Sequence, residues 1–211
     1  MFYKYAYIFI ALTLLLFTST CSKGTAKFTI SGNISDATLG VGLENGIISI
    51  FKVPVGSTEK ILIESKTLGS NGAYTFIFPR EAMEKYVIEV LKENYFDINE
   101  DISFSSLSSS NENYRDYNTT AKSWVKIKLL NNNPISSDHL RFIKQQGKEN
   151  CLECCPTSEQ NYYGALDTSI YCINDANTNY SIYYWLVGTS TQNLLSVNTL
   201  IFDTTDIILQ Y

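Results

Sequence analysis

Between Phe28 and the end of the chain, apolar residues come in short alternating runs bounded by Gly, Pro, Asn and Ser, and no window repeats at the helical period of 3.6. In FTISGNISD, Phe28, Ile30 and Ile34 alternate with polar neighbours, which predicts a half-buried strand. GIISIFKV (Gly46–Val53) and KILIESKTL (Lys60–Leu68) predict two more, separated by a turn around Pro54, Gly56 and Ser57. Ser70-Asn71-Gly72 predicts a tight turn, because Asn and Gly tolerate positive φ. It leads into AYTFIF, where Tyr74, Phe76 and Phe78 share a face. Pro79–Lys85 is expected as one helical turn, and the strand that follows puts Tyr86, Ile88 and Val90 on one side.

Residues 102–121, with SSLSSSNENYRDY at their centre, are Ser- and Asn-rich and predict a linker. The strand pattern resumes in SWVKIKLL, where Val125, Ile127 and Leu129 alternate with Lys126 and Lys128, and NNNP closes it. HLRFIK (His139–Lys144) predicts a strand. GKENCLECCPTSEQNYYGALDTSIYC (Gly147–Cys172) reads as a long polar excursion. YSIYYWLV, NTLIF and DIILQY are expected as three closing strands. The fold class is therefore mainly β, with two β-sandwich domains at 28–101 and 122–211.

Composition narrows the partners. Without its first twenty residues the chain carries 15 basic against 21 acidic side chains, a balance of −6, which argues against nucleic acid. The remaining 191 residues suffice to bury a core in one or two domains. Fifteen tyrosines among short β-branched runs fit half-buried strands.

The first twenty residues set the expected address. Lys4 precedes a nearly unbroken apolar run, Tyr7–Phe17, which is shorter than the roughly 20 residues of a spanning helix and matches a secretory signal core. Thr18-Ser19-Thr20 and Cys21 follow. An apolar run, small residues and then Cys resembles a bacterial lipoprotein signal, with Thr18 standing where that pattern usually has Leu. The resemblance implies a signal peptide over 1–20, acylation of Cys21, a tether over 21–27, and a lipid anchor in the cell envelope, the outer membrane being favoured.

A second resemblance lies in Gly32-x-Ile34-x-Asp36, Leu43-x-x-Gly46-Ile47-x-Ser49-Ile50, Ser70-Asn71-Gly72-x-Tyr74-x-Phe76, and Tyr86-x-Ile88-x-Val90 with Tyr95. Over about residues 25–100 this resembles the transthyretin-like, or carboxypeptidase-regulatory-like, β-sandwich. Asn94 stands where the family usually has Gly, and Asn tolerates the left-handed backbone such a turn needs. The texture of the second half resembles exported lipid-anchored proteins of Bacteroidota-like bacteria. Together these imply a non-catalytic binding or structural module whose partner is an envelope protein or a glycan. A carbohydrate-binding accessory of a nutrient uptake system and a carboxylate-dependent hydrolase are the alternatives.

The candidate chemistry is sparse. With Cys21 set apart, Cys151, Cys154, Cys155 and Cys172 form an even set, expected as disulfides in an oxidising compartment, with a four-thiolate zinc site as the competing reading. A vicinal Cys154–Cys155 bond would strain its peptide, so Cys172 is expected to pair with one of Cys151, Cys154 or Cys155. Asp97-x-Asn99-x-Asp101 starts like a calcium loop but continues with Ile102 and Ser108 where Gly and an acid are needed. His139, the single histidine, has no evident nucleophile beside it. No cofactor is expected. Of the aromatics crowded at Tyr162, Tyr163, Tyr171, Tyr180, Tyr183, Tyr184 and Trp185, the pair Tyr162-Tyr163 is expected to give the cross-linked loop its ligand contacts.

Overall fold

The computed structural model describes residues 26–151 and 153–211. The elements in chain order are β1 (Lys27–Asp36), β2 (Val41–Gly42), β3 (Ile47–Val53), β4 (Ile61–Thr67), β5 (Ala73–Pro79), β6 (Lys85–Leu91) and β7 (Ile98–Ser103). A short 3₁₀ turn at Phe104–Ser106 precedes β8 (Asn113–Tyr114), β9 (Tyr117–Thr119), β10 (Lys122–Leu130) and β11 (His139–Gln146). The chain continues through β12 (Gln160–Tyr163), β13 (Asp167–Asp175), β14 (Asn179–Leu186), β15 (Gln192–Asn198) and β16 (Thr204–Gln210). Among the described residues no helix is long and apolar enough to cross a membrane.

Two β-sandwiches result, each with its own core. In the first, a sheet centred on β1, which pairs β2, β5, β8 and β9, packs against the sheet β4-β3-β6-β7. Phe28, Ile30, Ile34, Ile48, Ile50, Phe76, Tyr86 and Ile88 fill the space between. The second joins β13-β10-β16 to β12-β11-β14-β15 around Val125, Ile127, Leu129, Leu140, Phe142, Tyr180 and Ile182. Burial follows the two-residue period along β5 and β10, as alternation dictates for a sheet with one wet face.

Four local expectations are corrected. Residues 102–121 are no linker: β8 and β9 pair in parallel with β1, and Arg115, between them, donates its N–H to the Ser31 carbonyl at 2.8 Å. Gly32 permits that approach, since a Cβ there would lie 1.8 Å from the Arg115 carbonyl oxygen. Pro79–Lys85 forms no helical turn: Pro79 ends β5, Lys85 opens β6, and the amides between them bond elsewhere, Arg80 N–H to Ala26 O and Glu84 N–H to Val53 O of β3. NTLIF contains only the end of β15, and the rest is the turn into β16, where Phe202 takes φ 57°. The cysteine-bearing excursion is no single loop, because β12 (Gln160–Tyr163) and the first part of β13 (from Asp167) lie within it.

The turn chemistry is as expected where glycine or asparagine is required. Gly72 has φ 68°, and a Cβ there would sit 2.0 Å from the Ile34 carbonyl oxygen. Asn94 occupies the left-handed region at φ 62°. The two sandwiches meet through packed residues, with Phe202 edge-on to Tyr95 at 5.5 Å and Ala176 inside the first core. Asp175 accepts there from the Lys148 ammonium at 2.8 Å and from the Thr120 hydroxyl.

Candidate functional site

The four-stranded sheet of the second sandwich turns one face to its core and the other to solvent. Leu140 and Phe142 of β11, with Tyr180, Ile182 and Tyr184 of β14, point inward and are buried. Alternation therefore sends His139 and Arg141 outward on one strand, and Tyr183 and Trp185 outward on the next. Register sets Arg141 opposite Trp185, His139 opposite Tyr163 of β12, and Tyr183 opposite Leu194 of β15.

These side chains are held to one another. Tyr163 stacks on His139 with centroids 4.2 Å apart and planes 19° apart, and the His139 Nε2 lies 2.7 Å from Asn161 Oδ1. Arg141 lies over the Trp185 ring at 5.1 Å, and its Nε donates to Glu159 at 2.5 Å. That bond, aided by the Asn161 amide, holds the Glu159 carboxyl below the usual carboxylate range. Tyr183 lies 5.8 Å from Trp185 and donates its hydroxyl to Gln192 Oε1 at 2.7 Å.

Beside Tyr183 the sheet hollows into an open groove of about 620 Å³, lined by Gln145, Gln146, Asn179, Ser181, Tyr183, Leu194 and Ser196. A register shift between Lys144 and Gln146 makes the groove, because it turns both Gln145 and Gln146 to solvent. Asn179 is fixed at both ends: its Nδ2 donates to Gln146 Oε1 at 2.5 Å, and its Oδ1 accepts from the Ser196 hydroxyl at 2.9 Å.

The cysteines lie behind this face and at its margin. Disulfides join Cys151 to Cys154 and Cys155 to Cys172, and Cys172 is fully buried in the second core. Buried Lys144 donates to the carbonyls of Lys148 and Cys155, both at 2.6 Å, tying the cross-linked segment to β11. Burial lowers the pKa of that ammonium. Cys21 lies outside the described residues.

The pleat separates the expected contact pair. Tyr162 points inward, its ring parallel to that of Phe142 at 5.8 Å, whereas Tyr163 points outward and is 65% exposed. Only Tyr163 belongs to the open face. Tyr171, 62% exposed, lies on the opposite sheet. The alternation in HLRFIK and YSIYYWLV already assigns Arg141 and Trp185 to outer positions, but the pairing that sets one over the other is a tertiary fact. Among the described residues no cluster of three His, Cys, Asp or Glu side chains could hold a metal ion. Asn99 and Asp101 lie on β7, where Asp101 pairs with Lys85 at 2.5 Å, leaving no loop to wrap an ion.

No family model and no curated protein matches the chain. Solved structures overlap it loosely. The TIE protein of Bacillus anthracis is 10% identical with a TM-score of 0.39 over 88% of this chain, which spans only 34% of that protein. The shaft pilin SpaA of Lactobacillus rhamnosus GG is 8% identical with a TM-score of 0.34, over 88% of this chain and 97% of the pilin. The minor pilin GBS52 of Streptococcus agalactiae is 9% identical with a TM-score of 0.32, over 87% and 94%. Overlaps this loose carry no functional information, so function is argued from the chain's own surface.

Proposed function

We propose that the chain is an exported, lipid-anchored, non-catalytic binding protein of the bacterial cell envelope, held at Cys21 and presenting the outer face of β12-β11-β14-β15 to a partner. The observation that carries the binding role is that face, where the Tyr163–His139 stack and the Arg141–Trp185–Tyr183 group form one solvent-facing row, joined by Asn161 and Glu159. Two disulfides support residence in an oxidising compartment. The transthyretin-like resemblance of the first half fits a supporting role, since such domains usually accompany an activity without performing it.

The anchor is tested by labelling cells with a fatty acid and fractionating them. Each buried CH₂ contributes about 0.8 kcal/mol, so two or more acyl chains hold the protein on the bilayer. Wild-type chain is expected in the membrane fraction with label, and Cys21→Ser without label. A wild-type chain that is unlabelled and soluble refutes the reading.

A further inference from the structure

We infer that the outer face of β12-β11-β14-β15 takes a neutral oligosaccharide, with one sugar seated in the groove beside Tyr183 and the glycan running over Trp185 towards Tyr163. This rests on the binding role proposed above and names the ligand chemistry of the same face.

Charge is the first argument. In a chain of net charge −5, the groove is lined by two Gln, one Asn, two Ser, one Tyr and one Leu, without a formal charge. On the rest of the face the Arg141 guanidinium is neutralised by Glu159. A uronate, sulfate or phosphate would find no unpaired Lys or Arg there, and a cationic ligand no free carboxylate. A neutral polyhydroxylated ligand loses nothing by this, because amide and hydroxyl side chains supply both donors and acceptors.

Ring geometry is the second. A pyranose presents a face of C–H bonds and an edge of hydroxyls. The negative face of an aromatic ring attracts the C–H face, and flanking amides meet the edge. Tyr183 supplies a ring, and Gln145, Gln146 and Asn179 supply amides, to the lining of one groove. The groove volume of about 620 Å³ lies within the range of small-ligand sites. Strand spacing puts Tyr163 about 16 Å diagonally from Tyr183, a reach that calls for several linked sugars.

The site is also fixed before any ligand arrives. Gln192 holds the Tyr183 hydroxyl, Ser196 and Gln146 hold Asn179, and Arg141 holds Trp185. A ligand that meets immobilised side chains forfeits less of its binding free energy to ordering them. A protein partner would call for an apolar patch centre to desolvate, and the groove's single aliphatic side chain is Leu194.

The test presents the purified full chain, disulfides intact, to an array of neutral, N-acetylated, uronate and sulfated oligosaccharides, followed by titration of the neutral hits. Binding of neutral glycans is expected, weakened at least tenfold by Tyr183→Ala and by Leu194→Glu, and unchanged by Tyr171→Ala on the opposite sheet. Leu194 is 55% exposed on strand β15, so its variant keeps the core, and thermal midpoints verify that each variant is folded. Binding of charged glycans alone, no glycan binding, or full binding by folded Tyr183→Ala and Leu194→Glu overturns the inference. Fatty-acid labelling and fractionation are read separately, so the envelope assignment stands or falls without it.

Discussion

Tyr95 donates its hydroxyl across 2.7 Å to the carboxylate of Asp36, which is 1% exposed and lies 59 residues earlier in the chain. The other carboxylate oxygen accepts the N–H groups of Thr38 and Leu39 at 2.8 and 3.1 Å. One buried charge thus fixes the turn after β1 and the turn after β6, while Phe202 packs on the same tyrosine ring from the second sandwich. Tyr95→Phe keeps the ring and removes the donor. It is expected to cost about 1–3 kcal/mol in denaturant unfolding, as for a buried acceptor stripped of a partner. An unchanged unfolding midpoint would show that water replaces the hydroxyl.

Alkali should unfold the protein through its tyrosines. Burial, with the Asp36 bond and charge behind it, raises the Tyr95 pKa from 10.0 to about 12, and burial alone raises that of Tyr180 to about 12. Tyr74 is raised further by burial and by neighbouring Tyr117 and Asp116. A raised folded pKa means the unfolded chain releases its proton first. The stabilisation is then intact below pH 10 and disappears as pH climbs towards 12. The last step of tyrosinate absorbance, that of the buried rings, is expected to coincide with loss of the β signal in circular dichroism. A final absorbance step completed with the sheets intact would contradict this.

The two disulfides should differ in weight. Cys155–Cys172 closes the longer loop, 17 residues apart, and Cys151–Cys154 spans three. Chain entropy assigns about 3 kcal/mol to the first and about 2 kcal/mol to the second. Paired Cys→Ser variants, checked by alkylation and unfolded in denaturant, are expected to fall in that order. The reverse order would place the stabilisation in native contacts around Cys151.

Tyr162 and Tyr163 are adjacent in sequence and opposite in role. Tyr162→Ala removes a half-buried ring from the second core and is expected to cost about 2 kcal/mol, below the loss for a fully buried aromatic. Tyr163→Ala removes a solvent-facing ring, with an expected change in stability within about 0.5 kcal/mol. Equal losses would mean that the His139 stack bears on folding.

Alternation made most of the fold legible. Val125, Ile127 and Leu129 announced β10, and Tyr86, Ile88 and Val90 announced β6, because a strand with one buried face must repeat every second residue. Asn94 likewise declared its left-handed backbone. What stayed hidden depends on partners remote in sequence. Nothing in NENYRDY marks strands, since β8 and β9 contribute backbone pairing to β1 more than buried side chains. Phe202 reads as a strand residue, yet it serves the contact with Tyr95. At the binding face, the outer positions were legible and the pairing of Arg141 with Trp185 was not. The groove depends on a bulge after Lys144, and no glycine or proline in HLRFIKQQ signals it.

The parallel pairings carry a consequence for timing. β1 waits for partners whose residues follow it by 83, Ile30 with Asn113, and β10 waits for β16 some 80 residues on, Trp124 with Thr204. Contacts so distant close slowly, because the intervening loop must be ordered before the pairing rewards it. A chain delivered amino end first therefore keeps its opening strand incomplete until Thr119 has emerged. Its second sandwich cannot close until Gln210 does. The two cores of such a polypeptide therefore close in turn, the first behind Thr119 and the second only with the last strand.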